Sequence, residues 1–149
     1  MAKKEIDNRF NKFGTVSFTG LTRINDFIDY LQQGRVMGTR CKTCGAHFFP
    51  PRADCCKSLD SDVEWFEVTG SGTLQTYSTL SYAPTGFEQD LPYTIAVVDF
   101  GSFKVFGRLD AAISAERIAI GMPLMISVHE MNNGHISYTF GRPIASPQD

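Results

Sequence analysis

From residue 73 onward, apolar and polar residues alternate in short runs. The runs are "TLQTYSTLSY" (73–82), "YTIAVVDF" (93–100), "FKVFGRL" (103–109), "LMISVHEM" (124–131) and "ISYTFG" (136–141). Each is rich in β-branched or aromatic residues, and turn signals separate them: Ala83-Pro84-Thr85-Gly86, Gly101-Ser102, Gly121-Met122-Pro123 and Asn132-Asn133-Gly134. A period of two puts Phe103, Val105, Gly107 and Leu109 on one face. It does the same for Leu124, Ile126 and Val128, and for Ile136, Tyr138 and Phe140. Five short antiparallel strands in so few residues predict a small closed barrel, because closure removes exposed edges. "DAAISAERIAIG" between the third and fourth runs has room for one helical turn, where an OB-fold carries its helix. The expected barrel is therefore a five-stranded OB-fold.

Upstream the period changes. In "TRINDFIDYLQQG", Ile24, Phe27, Ile28 and Leu31 recur at helical spacing, with Thr22 or Asn25 as a start signal and Gly34 as a stop. This predicts a helix over 23–33. Residues 1–20 show no period; "FGTVSF" within them suits a short strand or an arm on a partner. Pro50-Pro51 interrupts any regular element through 41–58. The expected organisation is an N-terminal arm (1–22), a helix with a cysteine-rich ribbon (23–64), a barrel (65–143) and a short tail (144–149).

Composition narrows the function classes. Apolar residues make up 42% of 149, with twelve Phe, enough for a compact core. The net charge of −2 lacks the basic excess usual for nucleic-acid proteins, in which phosphate contacts dominate affinity. The polar start resembles no signal peptide, and no apolar run reaches membrane-span length. The expectation is a cytoplasmic protein with reduced thiols and no membrane partner.

All four cysteines lie between positions 41 and 56. Cys41-Lys42-Thr43-Cys44-Gly45 has the form of a zinc knuckle: two thiolates three apart face one ion, and Gly45 permits the turn behind them. Cys55 and Cys56 then complete a tetrahedral set of four sulfurs. A disulfide framework does not suit the compartment, and a redox Cys-x-x-Cys would want a βαβ context. Sulfur ligation suits zinc or a rubredoxin-type iron; with no partner cofactor motif in the chain, zinc leads as a structural ion. The second pair is adjacent, with Ser58 where the last thiol of a second Cys-x-x-Cys would stand. Cys56 is the leading fourth ligand, followed by Asp54, Asp60 and His47.

The joint run "FIDYLQQGRVMGTRCKTCGAHFFPPRADC" followed by "VEWFEVTGSGTLQTYS" resembles the domain-of-unknown-function 35 family. The matching positions include Gly34, Cys41, Cys44, Gly45, Phe49, Pro50, Pro51, Arg52, Cys55, Trp65, Gly70, Gly72 and the Ile120-Gly121-Met122 turn, across roughly 23–142. The chain departs from the family at Cys55-Cys56, where C-P-x-C is usual. The resemblance implies a mainly β fold, in which an N-terminal helix and a rubredoxin-like zinc ribbon precede an OB-fold. It also implies a thiolase-like partner in acyl-CoA-processing complexes, with the Claisen chemistry in that partner. Among such subunits the chain looks most like the small partner of an aromatic-acyl thiolase acting on benzoylsuccinyl-CoA.

No G-x-S-x-G, HExxH or phosphate-cradling loop is present, so no catalytic residue is assigned to this chain. Arg40, Arg52 and Lys57 around the ribbon are the candidate donors to CoA phosphates. Phe13, Phe18 and Phe87 are the candidate partner contacts, because interfaces favour aromatic anchors. The competing reading is a single-stranded nucleic-acid-binding OB-fold with a structural ribbon, which would need a basic groove with stacking aromatics.

Overall fold

The computed structural model describes residues 6–15 and 22–144. Among the described residues, one α-helix, α1 (Asp26–Gln32), precedes a three-stranded ribbon of β1 (Met37–Cys41), β2 (His47–Phe48) and β3 (Val63–Glu67). The barrel follows as β4 (Ser71–Leu80), β5 (Tyr93–Asp99), β6 (Lys104–Arg108), β7 (Pro123–Glu130) and β8 (Ile136–Gly141).

All five alternating runs form strands, ordered β6-β5-β4-β7-β8 with antiparallel neighbours. The two outer strands meet through a parallel bridge between Leu109 and Phe140, and the Asp110 amide donates to the Phe140 carbonyl at 2.8 Å. Tyr138 Oη donates to the Phe106 carbonyl (2.9 Å) across the same seam. This closure is the OB-fold arrangement. β4 carries a register shift between Leu74 and Thr76, the local bend that a long strand needs to serve two neighbours in a small barrel. The Asn132-Asn133-Gly134 signal is realised as the β7–β8 turn, with the Met131 amide donating to the His135 carbonyl (2.8 Å). Between β6 and β7 the helical turn is a short 3-10 segment, Ala115–Arg117.

The helix is shorter than its pattern predicts. Asn25 sits at the N-cap with helical dihedrals and makes no capping bond; its Nδ2 donates instead to the Thr22 carbonyl (3.1 Å). The ribbon strands carry no alternating signal, yet they form a sheet ordered β2-β1-β3. Gly38 makes the packing possible: a Cβ there would stand 2.6 Å from the Phe66 ring and 2.7 Å from the Phe48 carbonyl oxygen.

Ribbon, helix and barrel share one core. Phe27, Ile28 and Leu31 of α1 and Val36 pack with Val68, Leu74, Val98, Val105, Leu124 and Phe140. An aromatic seam joins the parts: Phe27 meets Phe49 (6.1 Å), Phe49 meets Tyr138 (5.1 Å), and His47 packs edge-on against Phe66 (4.9 Å). Offset and edge-to-face pairs at these distances contribute beyond area burial.

The N-terminal segment is tied to the helix by charge. Arg9 bonds Asp7 (2.7 Å) and Asp26 (3.0 Å), and also pairs with Asp29. These carboxylates raise the Arg9 pKa further, Asp7 most of all. The side chain is about one third exposed, so solvent screens the network. We expect Arg9→Ala to lower global stability by no more than about 1 kcal/mol. Limited proteolysis should nevertheless cut the variant near residues 9–12 faster than the wild type; equal cutting would show that Phe10 and Phe13 alone hold the segment.

Candidate metal centre

Cys41 is the last residue of β1, and the chain reverses immediately after it. The Gly45 amide donates to the Cys41 carbonyl (2.9 Å), and Gly45 takes the left-handed φ of +74° that the tight turn requires. Cys44 rides on this turn and is exposed, whereas Cys41 is fully buried. Cys55 enters from the segment after Pro50-Pro51 and is also buried. The three Sγ atoms lie within 4.8 Å of one another, with Cys44 and Cys55 at 3.5 Å. Thr43 ties the two turns together by donating to Asp60 at 2.5 Å, and Lys42 pairs with Asp62 at 2.8 Å.

The surroundings favour thiolates. The Ser58 hydroxyl, then the Ser58 amide, hold the Cys55 thiol down to about 6. The same hydroxyl, followed by the Cys44 amide, lowers Cys41. At Cys44 the Ala46 amide pulls downward, but the shared proton with Cys55 and desolvation push the thiol up overall. Three thiols this close hold protons jointly, and a divalent cation displaces them. Soft, partly pre-ionised sulfur donors at knuckle spacing fit zinc, which Cys41, Cys44 and Cys55 would hold. Held there, an ion would supply a structural cross-link between two turns that have little apolar core of their own.

Cys56, expected beside them, does not join the cluster. It is exposed, because adjacent residues in a tight turn send their side chains apart. The remaining fourth-ligand candidates are engaged elsewhere. Asp54 accepts from Ser61 Oγ (2.7 Å), Asp60 accepts from Thr43 and from the Asp62 amide (3.1 Å), and the His47 ring is packed between Phe66 and Phe103. Sequence reasoning gave no role to Ser58, whose Oγ stands 3.3 Å from Cys41 Sγ. The available signal was its position three residues after Cys55.

The candidate CoA and partner contacts are spread over the molecule. Arg40 is held by Glu64, with Nε at 2.7 Å. The Arg52 guanidinium lies over the Phe48 ring at 5.2 Å, and Lys57 is exposed beside the cluster. Phe13 is half-buried against Phe27 (5.9 Å) and Tyr138 (6.3 Å). Phe18 falls outside the described residues. Phe87 is half-buried under Arg108, which also covers Tyr93 at 3.9 Å and pairs with Asp90 at 2.8 Å. Among the described residues, no helix is long and apolar enough to cross a membrane.

Two adjoining family models match the chain. "ChsH2, rubredoxin-like zinc ribbon domain" covers residues 29–64, and "ChsH2, C-terminal OB-fold domain" covers 65–129. A DUF35 domain-containing scaffold protein of Methanocaldococcus jannaschii is 38% identical over 58% of this chain and 62% of its own length. A probable enoyl-CoA hydratase alpha subunit of Thermomonospora curvata is 29% identical over 71% of this chain, so the match spans only 33% of that subunit. Among solved structures, the chain resembles one described as an Ltp2-ChsH2(DUF35) aldolase. The TM-score is 0.70 at 23% identity, covering 87% of this chain and all of that one, a likeness of fold.

Proposed function

Since this chain belongs to the DUF35 family, with the ChsH2 order of zinc ribbon before OB-fold, we propose that it is an accessory subunit of a thiolase-type enzyme complex acting on acyl-CoA. The observation that carries the reading is the ribbon's attachment: it is joined to the barrel through one core, making a single two-part body. Such a body is suited to bracing a partner. Support also comes from the relatives, one described as a scaffold protein and another as a hydratase subunit. The narrower assignment is thiolytic cleavage of benzoylsuccinyl-CoA, with the nucleophile in the partner.

The contact surface proposed is the loop between β4 and β5. Tyr82 at its base is 80% exposed, and Phe87 lies at its tip under Arg108. An exposed Tyr82 beside a half-buried Phe87 at the edge of a sheet is the kind of aromatic pair an interface core uses. For CoA phosphates, Arg52 and Lys57 are the donors proposed, whereas Arg40 is already neutralised by Glu64. The pairing of Arg40, Lys42 and Arg108 with carboxylates runs against a phosphate-tracking groove, and hence against single-strand binding.

Co-expression with a thiolase-type subunit and affinity capture tests this. The expected result is a stable complex whose 3-oxoacyl-CoA thiolysis is lost when this chain is omitted. Replacing both Tyr82 and Phe87 with alanine should weaken capture by about tenfold or more, as loss of interface anchors does, with zinc content unchanged. Full thiolysis by the partner alone would refute the reading.

A further inference from the structure

The two turns that carry the thiols are the same structure used twice. In the first, the Cys41 amide donates to the Ala46 carbonyl (2.9 Å) and the Gly45 amide donates to the Cys41 carbonyl (2.9 Å). In the second, the Cys55 amide donates to the Asp60 carbonyl (2.8 Å) and the Leu59 amide donates to the Cys55 carbonyl (2.9 Å). Both pairs of bonds link the same relative positions. Cys55 Sγ accepts from the amides of Lys57 and Ser58, each at 3.4 Å, and Cys41 Sγ is likewise stabilised by the Thr43 and Cys44 amides. The fifth position is left-handed in both: Gly45 at φ +74° and Leu59 at φ +59°. Leu59 is the non-glycine residue with positive φ among those described, and its side chain is 87% exposed. An L-residue adopts that strained conformation where the surrounding turn imposes it.

This correspondence fixes equivalences that spacing alone leaves open. Cys55 matches Cys41, Cys56 matches the solvent-facing Lys42, and Ser58 matches the ligand position of Cys44. Ser58 Oγ is 3.3 Å from Cys41 Sγ, and Cys44 Sγ is 3.5 Å from Cys55 Sγ. A tetrahedral zinc with Zn–S of about 2.3 Å and Zn–O of about 2.1 Å has edges of about 3.6 Å (S···O) and 3.8 Å (S···S). Both observed separations lie close to those edges. Among the described His, Cys, Asp and Glu side chains, none besides the three cysteines brings a ligand atom into the cluster.

We propose that the fourth coordination position of the zinc is taken by the Ser58 hydroxyl oxygen, giving a three-sulfur, one-oxygen site, and that Cys56 is a free surface thiol. A hydroxyl is a harder and weaker donor than a thiolate, so the site carries one negative charge less than a four-cysteine ribbon and exchanges its metal more readily.

Cobalt substitution reads the donor set directly through sulfur-to-metal charge-transfer absorption. Cys56→Ser should leave the spectrum unchanged, with zinc affinity within about twofold, far below the 10–100-fold cost of losing even an outer-shell partner. Ser58→Cys should add one sulfur's intensity and raise affinity, and Ser58→Ala should lower affinity by about tenfold or more. In the wild-type zinc protein, brief treatment with iodoacetamide should label one cysteine per chain, Cys56, with the zinc retained. This last measurement needs no variant to fold. Loss of a sulfur ligand in Cys56→Ser, an unaltered spectrum in Ser58→Cys, unaltered affinity in Ser58→Ala, or zinc release on labelling Cys56 would each overturn the proposal.

Discussion

Stripping the zinc, or replacing Cys41 with alanine, is expected to disorder the ribbon turns while leaving the barrel strands folded. Between residues 41 and 62 only Cys41, Pro51 and Cys55 are buried, and two of these are thiol holders. Burial in that stretch is therefore too small to offset the backbone entropy of ordering it, which is about 1–2 kcal/mol per residue. A structural zinc supplies folding free energy directly, about 10–16 kcal/mol in small finger peptides, and so stands in for much of the missing burial. The barrel, by contrast, has Leu74, Val98, Val105, Leu124 and Phe140 buried at its centre. Hydrogen exchange after chelation should show fast amides across 41–62 and continued protection in β5 and β6. The pH dependence has a definite sign. Folding depresses the Cys55 thiol from its ordinary value to about 6, so its contribution is present above the ordinary value and lost as pH falls through about 6. Metal binding holds the thiolate to still lower pH, and acid release should set in below that point. Unchanged exchange across 41–62 in the metal-free protein would show that the ribbon holds itself.

Barrel strands such as β6 and β7 were legible because buried and solvated positions alternate along them, so period two survives in the sequence. Leu124, Ile126 and Val128 alternate toward the core as the pattern predicts. The ribbon strands were not legible. β1 reads Met-Gly-Thr-Arg-Cys and is buried at four of its five positions, so it has no polar face to alternate. Its buried Thr39 is satisfied across the ribbon, donating to the Arg52 carbonyl at 2.9 Å and accepting from the Arg52 amide at 2.8 Å. A composition reading cannot see that pairing. At the metal centre, the first turn was legible from Cys-x-x-Cys-Gly because all its special positions carry the expected residues. The second was obscured at two positions. Ser58 replaces a thiol, and Leu59 stands where glycine is the usual choice for positive φ. Cys56, the leading fourth-ligand candidate from the spacing, stands exposed outside the cluster of three sulfurs.

Phe27→Ala should be the most damaging single change away from the metal, and should lower the stability of ribbon and barrel together. The ring is 2% exposed and touches three others: Phe10 (6.2 Å), Phe13 (5.9 Å) and Phe49 (6.1 Å). Through Phe13 and Phe49 it reaches Tyr138 on β8, so the helix, the N-terminal turn, the ribbon and the barrel all converge on it. Truncating a buried Phe costs about 3–5 kcal/mol, the lost transfer energy plus the cavity. For a chain of this size that corresponds to a fall in melting temperature of roughly 10 °C. Phe106 is the control: it is 61% exposed on the barrel wall, and its truncation should stay within about 0.5 kcal/mol. Two reporters separate the parts. Trp65, the chain's one tryptophan, lies on β3 against Tyr30 at 5.2 Å and reports the ribbon, while far-UV circular dichroism is dominated by the longer barrel strands. With one shared core, both reporters should shift by the same amount in Phe27→Ala. If the tryptophan transition moved alone and the circular-dichroism transition stayed at its wild-type midpoint, the ribbon would be an independent module resting on the barrel.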